Sequence, residues 1–370
     1  MKWLRYLLVF VPIAVIAEFF IHNDVLIFVS SAIALVPLAG LLGEATEELA
    51  IHTGPRIGGL LNATLGNAAE LIITTVALSA GKYDLVKASL TGSIIGNLLL
   101  ILGFSLLLGG LRHGTQRFDR GLTGMAASMM FIAVIGLMIP TFFELIKEIQ
   151  AGNVDPLKTS VVDPSLDALS LGVAAVLMII YVLSLIYQFR TPNAAAVSHT
   201  GVGQTDEIVA HKVKWSVPVA LGILAVATLA IVFMSEFLVG VVEPVGLQFG
   251  LSEAFLGVIL VPIVGNVAEH IVGVQAAIKN QMELSLNISL GSSMQIALFV
   301  APLLVFLSLV IGPATGRQEL TLFFSLFEVL VLGLSVIIAA FISIDGESNW
   351  MEGVLLLGVY IIAAMGFFFL

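Results

Sequence analysis

The chain of 370 residues is 59% hydrophobic and 11% charged, where soluble domains carry about 25% charged residues. With a mean hydropathy of +1.11, a water-soluble fold is excluded and a polytopic membrane protein embedded in a lipid bilayer is implied. Cysteine is absent, which rules out disulfides and thiolate metal sites and leaves hard oxygen ligands as the available metal chemistry. The net charge of −10 gives no support to a nucleic-acid partner and suits a cation handler, although many acids sit in polar loops such as 155–167.

A membrane-spanning helix takes about 20 apolar residues. Read between charges and breakers, eleven segments qualify: 6–20, 25–43, 57–80, 88–111, 121–143, 168–188, 215–242, 254–278, 285–312, 320–343 and 350–370. The first follows Lys2 and Arg5 but precedes no small-residue cleavage site, so it reads as a retained helix rather than a cleaved signal. The end of the second is open between Gly43 and His52, because Glu44, Glu47 and Glu48 interrupt it. Between the sixth and seventh lies a polar stretch with Pro192, Asn193, Ser198, Gly201 and Gly203, the composition of a mobile linker.

The chain therefore divides into an N-terminal helix (1–23), a five-helix unit (24–189), a linker (190–214) and a second five-helix unit (215–370). With the N-terminus placed in the cytoplasm, ten Lys and Arg fall in inside loops and five in outside loops. That bias favours a cytoplasmic N-terminus and linker.

One motif occurs twice inside apolar segments. Gly66-Asn67-Ala68-Ala69-Glu70 recurs as Gly265-Asn266-Val267-Ala268-Glu269, and at the same offset of 199 Gly92-Ser93 meets Gly291-Ser292. The match points to duplication of a five-helix unit. Because five is odd, the copy enters the membrane from the other side, so the fold expected is all-α, with one helix plus two inverted five-helix repeats. The pseudo-two-fold axis would bring Glu70 and Glu269 together near the midplane.

A carboxylate at membrane depth costs several kcal/mol and usually marks an ion or proton path. Asn and Glu three residues apart share one helix face. Two carboxylates neutralise one Ca²⁺ or hold two protons, and close carboxylates titrate as a pair. Glu70 and Glu269 are thus the candidate cation, metal and proton ligands. Asn67 and Asn266 would supply amide oxygens or orient the acids, with helix–helix hydrogen bonding as the equal alternative.

Ser93, Asn97, Ser292 and Gln295 would line the site. His270 follows Glu269 but stands about 100° round the helix, so a relay competes with a packed, hydrogen-bonded histidine. Glu47 and Glu236, each after a hydroxyl residue and one helix before a motif helix, look like repeat counterparts and candidate proton-path or gate residues; Glu328 reads as a structural hydrogen-bonder. No phosphate-binding loop, nucleophile elbow or His-Glu-x-x-His pattern occurs, so an enzyme, a catalytic residue and ATP coupling lack support.

The stretch from Gly54 to Ile72, centred on Gly66-Asn67-Ala68-Ala69-Glu70, resembles the first signature of the calcium/proton exchangers of the cation/calcium exchanger superfamily. Val264 to His270 resembles the second. Ala45-Thr46-Glu47, Gly291 to Ala297 and Asp345 to Trp350 also resemble family stretches. The resemblance implies eleven helices and Ca²⁺ extrusion from a prokaryotic cell across its plasma membrane, driven by proton entry, with no cofactor. It makes Glu70 and Glu269 the shared carboxylates. Mn²⁺ and Cd²⁺ are further candidate cargo, and a homo-oligomer is compatible.

Two departures stand out. The strongly acidic stretch that family members often carry after helix six is reduced to Asp206 and Glu207, and Gly96 stands where repeat symmetry would place a second glutamine opposite Gln295. A Na⁺- or K⁺-coupled exchanger and a passive cation channel are the alternatives.

Overall fold

The computed structural model describes residues 2–152, 164–190, 214–315 and 319–370. The linker expectation falls on 191–213 and lies outside them. Among the described residues, ten helices are long and apolar enough to cross a membrane, and one bent pair supplies an eleventh. In chain order they are α1 (Leu4–Ile21), α2 (Asp24–Gly54), α3 in two pieces (Ile57–Leu65 and Ala68–Ser79), α4 (Tyr83–His113), α5 (Arg120–Gln150) and α6 (Pro164–Arg190). After the linker come α7 (Val217–Phe249), α8 (Glu253–Ile278), α9 (Met282–Ile311), α10 (Leu326–Ile344) and α11 (Trp350–Phe369). Helices α2–α6 and α7–α11 are the two inverted repeats.

The helix starts follow local capping chemistry. Asn23 accepts from Leu26 N at 2.9 Å ahead of α2, and Ser252 accepts from Phe255 N at 3.1 Å ahead of α8. Asn349 and Glu352 form a capping box at α11. Such caps satisfy backbone N–H groups that a helix start leaves without partners. Between α2 and α3, Gly54 adopts φ +82, a left-handed conformation that glycine enters without the steric cost of a side chain.

Helix α10 begins six residues later than the hydropathy suggests. Residues 319–325 are not helical, and hydroxyls from three other helices capture their amides. Ser308 accepts from Leu320 N at 2.9 Å, Ser170 from Leu322 N at 3.0 Å and Thr141 from Phe324 N at 2.9 Å. Non-helical backbone inside an apolar bundle persists only when its polar groups are satisfied in this way. Ser325 and Glu328 then form the capping box that starts α10.

The linker ends define one face of the bundle. There Glu48 accepts from the backbone amides of Lys214 (3.0 Å) and Trp215 (3.4 Å), and Glu44 pairs with Arg5 at 2.8 Å and Lys214 at 3.2 Å. On this face strand β1 (Gln116–Arg117) pairs antiparallel with β2 (Glu347–Ser348), joining the α4–α5 loop to the α10–α11 loop. On the opposite face Lys82 pairs with Glu243 and, at 3.2 Å, with Glu253. At the 199-residue offset Glu243 is the counterpart of Glu44, so matched acids hold ion pairs at opposite ends.

Candidate functional site

Asn67, Glu70, Ser93, Asn97, Asn266, Ser292 and Gln295 are all buried, and a chain of hydrogen bonds crosses between the repeats. Ser292 Oγ donates to Asn67 Oδ1 at 2.8 Å, and Asn67 Nδ2 donates to Gln295 Oε1 at 2.8 Å. Asn97 Nδ2 donates to Ser292 Oγ at 3.0 Å. In the mirrored arrangement Asn266 Nδ2 donates to Ser93 Oγ at 3.0 Å. Each motif asparagine is therefore bonded to the serine that follows the other repeat's motif.

The two acids enter the same region. Glu70 is buried within electrostatic reach of Glu269, and its Oε1 lies 3.3 Å from where a Cβ on Gly265 would stand. Glu269 lies within hydrogen-bonding reach of Ser292. That serine has one proton, which serves either Asn67 or Glu269 at a time.

The identical motifs have different backbones. Chain α3 breaks at Gly66-Asn67 with a 41° bend, and Asn67 leaves helical geometry at φ −102, ψ 32. Helix α8 runs through Gly265-Asn266 unbroken, and Asn266 Nδ2 bonds back to Pro262 O at 3.0 Å. The difference follows from the partners. Gln295 and Ser292 hold both ends of the Asn67 amide, whereas the position opposite Asn266 is Gly96, which has no side chain to offer. Asn266 Oδ1 and Glu269 Oε2 are buried with no hydrogen-bond partner among the described residues. Together with the Glu70 carboxylate they are oxygen atoms of the type a hard cation takes.

Two wide helical turns flank the site: π-helical segments span Gly96–Ile101 in α4 and Ile296–Val300 in α9, nearly superposed at the repeat offset. Such bulges are frequent at functional sites, and the first carries Asn97. They have no signature that sequence reading detects.

The remaining expected residues are placed less uniformly. His270 is half-buried, and its Nε2 has no partner among the described residues. Glu47 is half-buried on α2, while Glu236 is exposed on α7. Glu328 is buried and serves the α10 cap. Glu243, which the repeat offset pairs with Glu44, has no local motif around it to single it out.

Known proteins carry the same architecture. A Ca(2+)/H(+) antiporter of Aphanothece halophytica is 42% identical over 98% of this chain and 95% of its own. The Ca(2+)/H(+) antiporter ChaA of Bacillus subtilis is 39% identical over 97% of each. The solved structure of native YfkE superposes with a TM-score of 0.80 at 36% identity, covering 99% of this chain and all of that one. The model of the sodium/calcium exchanger protein family matches residues 23–190 and 219–369, and the chain belongs to that family, among its calcium/proton antiporters.

Proposed function

We propose that this protein is a secondary antiporter that exports Ca²⁺ from the cytoplasm in exchange for protons, by alternating access around Glu70 and Glu269. The observation that carries the reading is the meeting of the two motif carboxylates inside the cross-repeat network, beside the free Asn266 Oδ1 and Glu269 Oε2. A buried carboxylate pair without a counter-charge is too costly to carry across the bilayer. The site therefore changes sides only when loaded with Ca²⁺ or with protons, and that restriction couples the two fluxes. Full-length similarity to Ca(2+)/H(+) antiporters supports the same assignment.

Glu70, Glu269 and Asn266 are assigned as ion ligands. Asn67, Ser93, Asn97, Ser292 and Gln295 hold them in place, and His270 lines the site. Glu47 is kept as a candidate gate residue; the exposure of Glu236 favours it less. The repeats are assigned to 24–189 and 215–370, with 1–23 as the added helix and 190–214 as the linker, in keeping with the two matched family blocks.

Proton-gradient-driven ⁴⁵Ca uptake into sealed vesicles tests the function, with Na⁺ and K⁺ varied and Mn²⁺ and Cd²⁺ as competitors. Uptake that needs a Na⁺ or K⁺ gradient, or that runs with no opposing gradient, would reject the proton antiport. For orientation, a cysteine introduced at Ser198 should resist impermeant thiol reagent in intact cells.

A further inference from the structure

Many buried hydroxyls in this bundle donate to a carbonyl one turn back in their own helix. Ser30, Ser31, Thr74, Ser293, Ser335 and Ser343 all do so, as is usual for serine and threonine in apolar helices. Among those that do not, which include Thr91 and Ser235 elsewhere, Ser285 and Ser289 of α9 and Ser105 of α4 stand together. All three are fully buried, and their Oγ atoms have no partner among the described residues. The same holds for Oε1 of buried Gln116. An unpaired buried polar group costs about 1–3 kcal/mol, so a concentration of them asks for an explanation.

These atoms lie along one seam. Ser285, Ser289 and Ser292 share one face of α9 by their spacing, and Ser292 reaches Glu269. Across the seam Gly273 of α8 stands one turn beyond Glu269, and a Cβ there would lie 3.9 Å from Ser285 Oγ. Ile101 of α4 meets the same glycine at 3.3 Å, with Ser105 one turn further along α4. A Cβ on Gly109 would strike the Gln116 side chain and approach Ala277 O at 3.0 Å. Gln116 closes the seam on the linker face, donating to Ala277 O and Asn280 Oδ1, each at 3.0 Å.

We propose that this seam between α4, α8 and α9 is a proton route joining Glu269 to the linker-face solution, separate from the way taken by the metal ion. It rests on the antiport reading above. Each hydroxyl oxygen accepts a proton from the inner neighbour or a bridging water and passes its own proton outward, so every serine is regenerated. Ca²⁺ needs six to eight oxygens around it, and a row of single hydroxyls lined by Ile101 and Ile288 cannot supply them. Glu269 and His270 stand at the inner end, and His113 and Glu283 at the linker-face end. The other repeat lacks the feature: at the 199-residue offset Ser285 and Ser289 become Val86 and Leu90. The route serves one face only.

The test compares two fluxes of the full-length protein in proteoliposomes. One is proton-gradient-driven ⁴⁵Ca uptake; the other is Ca²⁺/Ca²⁺ exchange, which moves no net proton. Ser285→Ala combined with Ser289→Ala should slow the first by about tenfold, one decade of rate, and leave the second unchanged. Because neither hydroxyl has a partner to lose, the thermal midpoint of the variant should not fall. A Ser285→Thr and Ser289→Thr variant, which keeps both hydroxyls, should recover proton-driven uptake.

Equal loss of both fluxes, or loss of neither, would overturn the route and leave the antiport reading standing. Wild-type protein without proton-driven uptake would overturn both.

Discussion

The carboxylate of Glu70 rests on Gly265, the first residue of the other repeat's motif. A Cβ at that glycine would stand 3.3 Å from Glu70 Oε1 and 3.8 Å from its Cδ. The glycine thus fixes how deeply one motif acid reaches into the opposite repeat.

Replacing Gly265 by alanine should push the Glu70 carboxylate aside without unfolding α8, since alanine is the better helix former by about 1 kcal/mol. Misplacing a ligand by a fraction of an ångström should cost about tenfold in apparent Ca²⁺ affinity. Transport kinetics and thermal unfolding, measured together, check this: lost stability with unchanged affinity would contradict it.

Glu70→Gln and Glu269→Gln should each abolish calcium transport, because the one remaining charge cannot balance a divalent ion. The amide keeps size and shape, so both variants should still be recovered folded. Near-normal proton-driven flux in either would reject the two-carboxylate site.

Calcium binding should release protons and weaken as pH falls. The ion needs both carboxylates charged, and protons occupy the same oxygens. The sign is therefore fixed: affinity rises with pH until both acids are ionised, then levels off. Calorimetry in buffers of different ionisation enthalpy reads the release directly, and identical apparent enthalpies would mean that none occurs.

Lys82 bridges Glu243 and Glu253 on the face opposite the linker. The hydrogen bond that it donates to Glu243, chiefly, holds its ammonium above the usual lysine range. A raised value in the folded state means that the stabilisation is complete below lysine's ordinary range and is lost only as pH climbs through the folded value. Across neutral pH the contribution should be constant. The pair is partly exposed, so Lys82→Gln should lower stability only slightly. Double-mutant stability measurements with Glu243→Gln check the coupling, and strictly additive losses would show that there is none.

The duplicated motif and its 199-residue offset single out Glu70, Glu269, Asn67 and Asn266 in the sequence, but not the bond that each asparagine makes to the other repeat's serine. Hydropathy located the eleven helices. What stayed hidden depended on distant partners. Nothing within Gly66-Asn67 or Gly265-Asn266 says which helix breaks; the answer lies in Gln295 and its missing counterpart at Gly96. The apolar run at 320–324 has the hydropathy of a helix, yet Ser308, Ser170 and Thr141, far off in the chain, hold its amides outside one. Local context pairs Glu47 with Glu236, whereas the 199-residue offset pairs Glu44 with Glu243.

The ribbon of β1 and β2 has a consequence for biosynthesis. Gln116 and Arg117 emerge from the ribosome early, but their partners Ser348 and Glu347 belong to the final hairpin. Through most of translation the first strand is an open edge. Phe118 N also waits for Gly346 O, and the Arg120 guanidinium for Ile344 O. The two halves can insert one after the other, but this corner of the linker face is closed only when the last helix arrives, so a nascent chain stalled before Asp345 would present quality-control proteases with an unfinished seam.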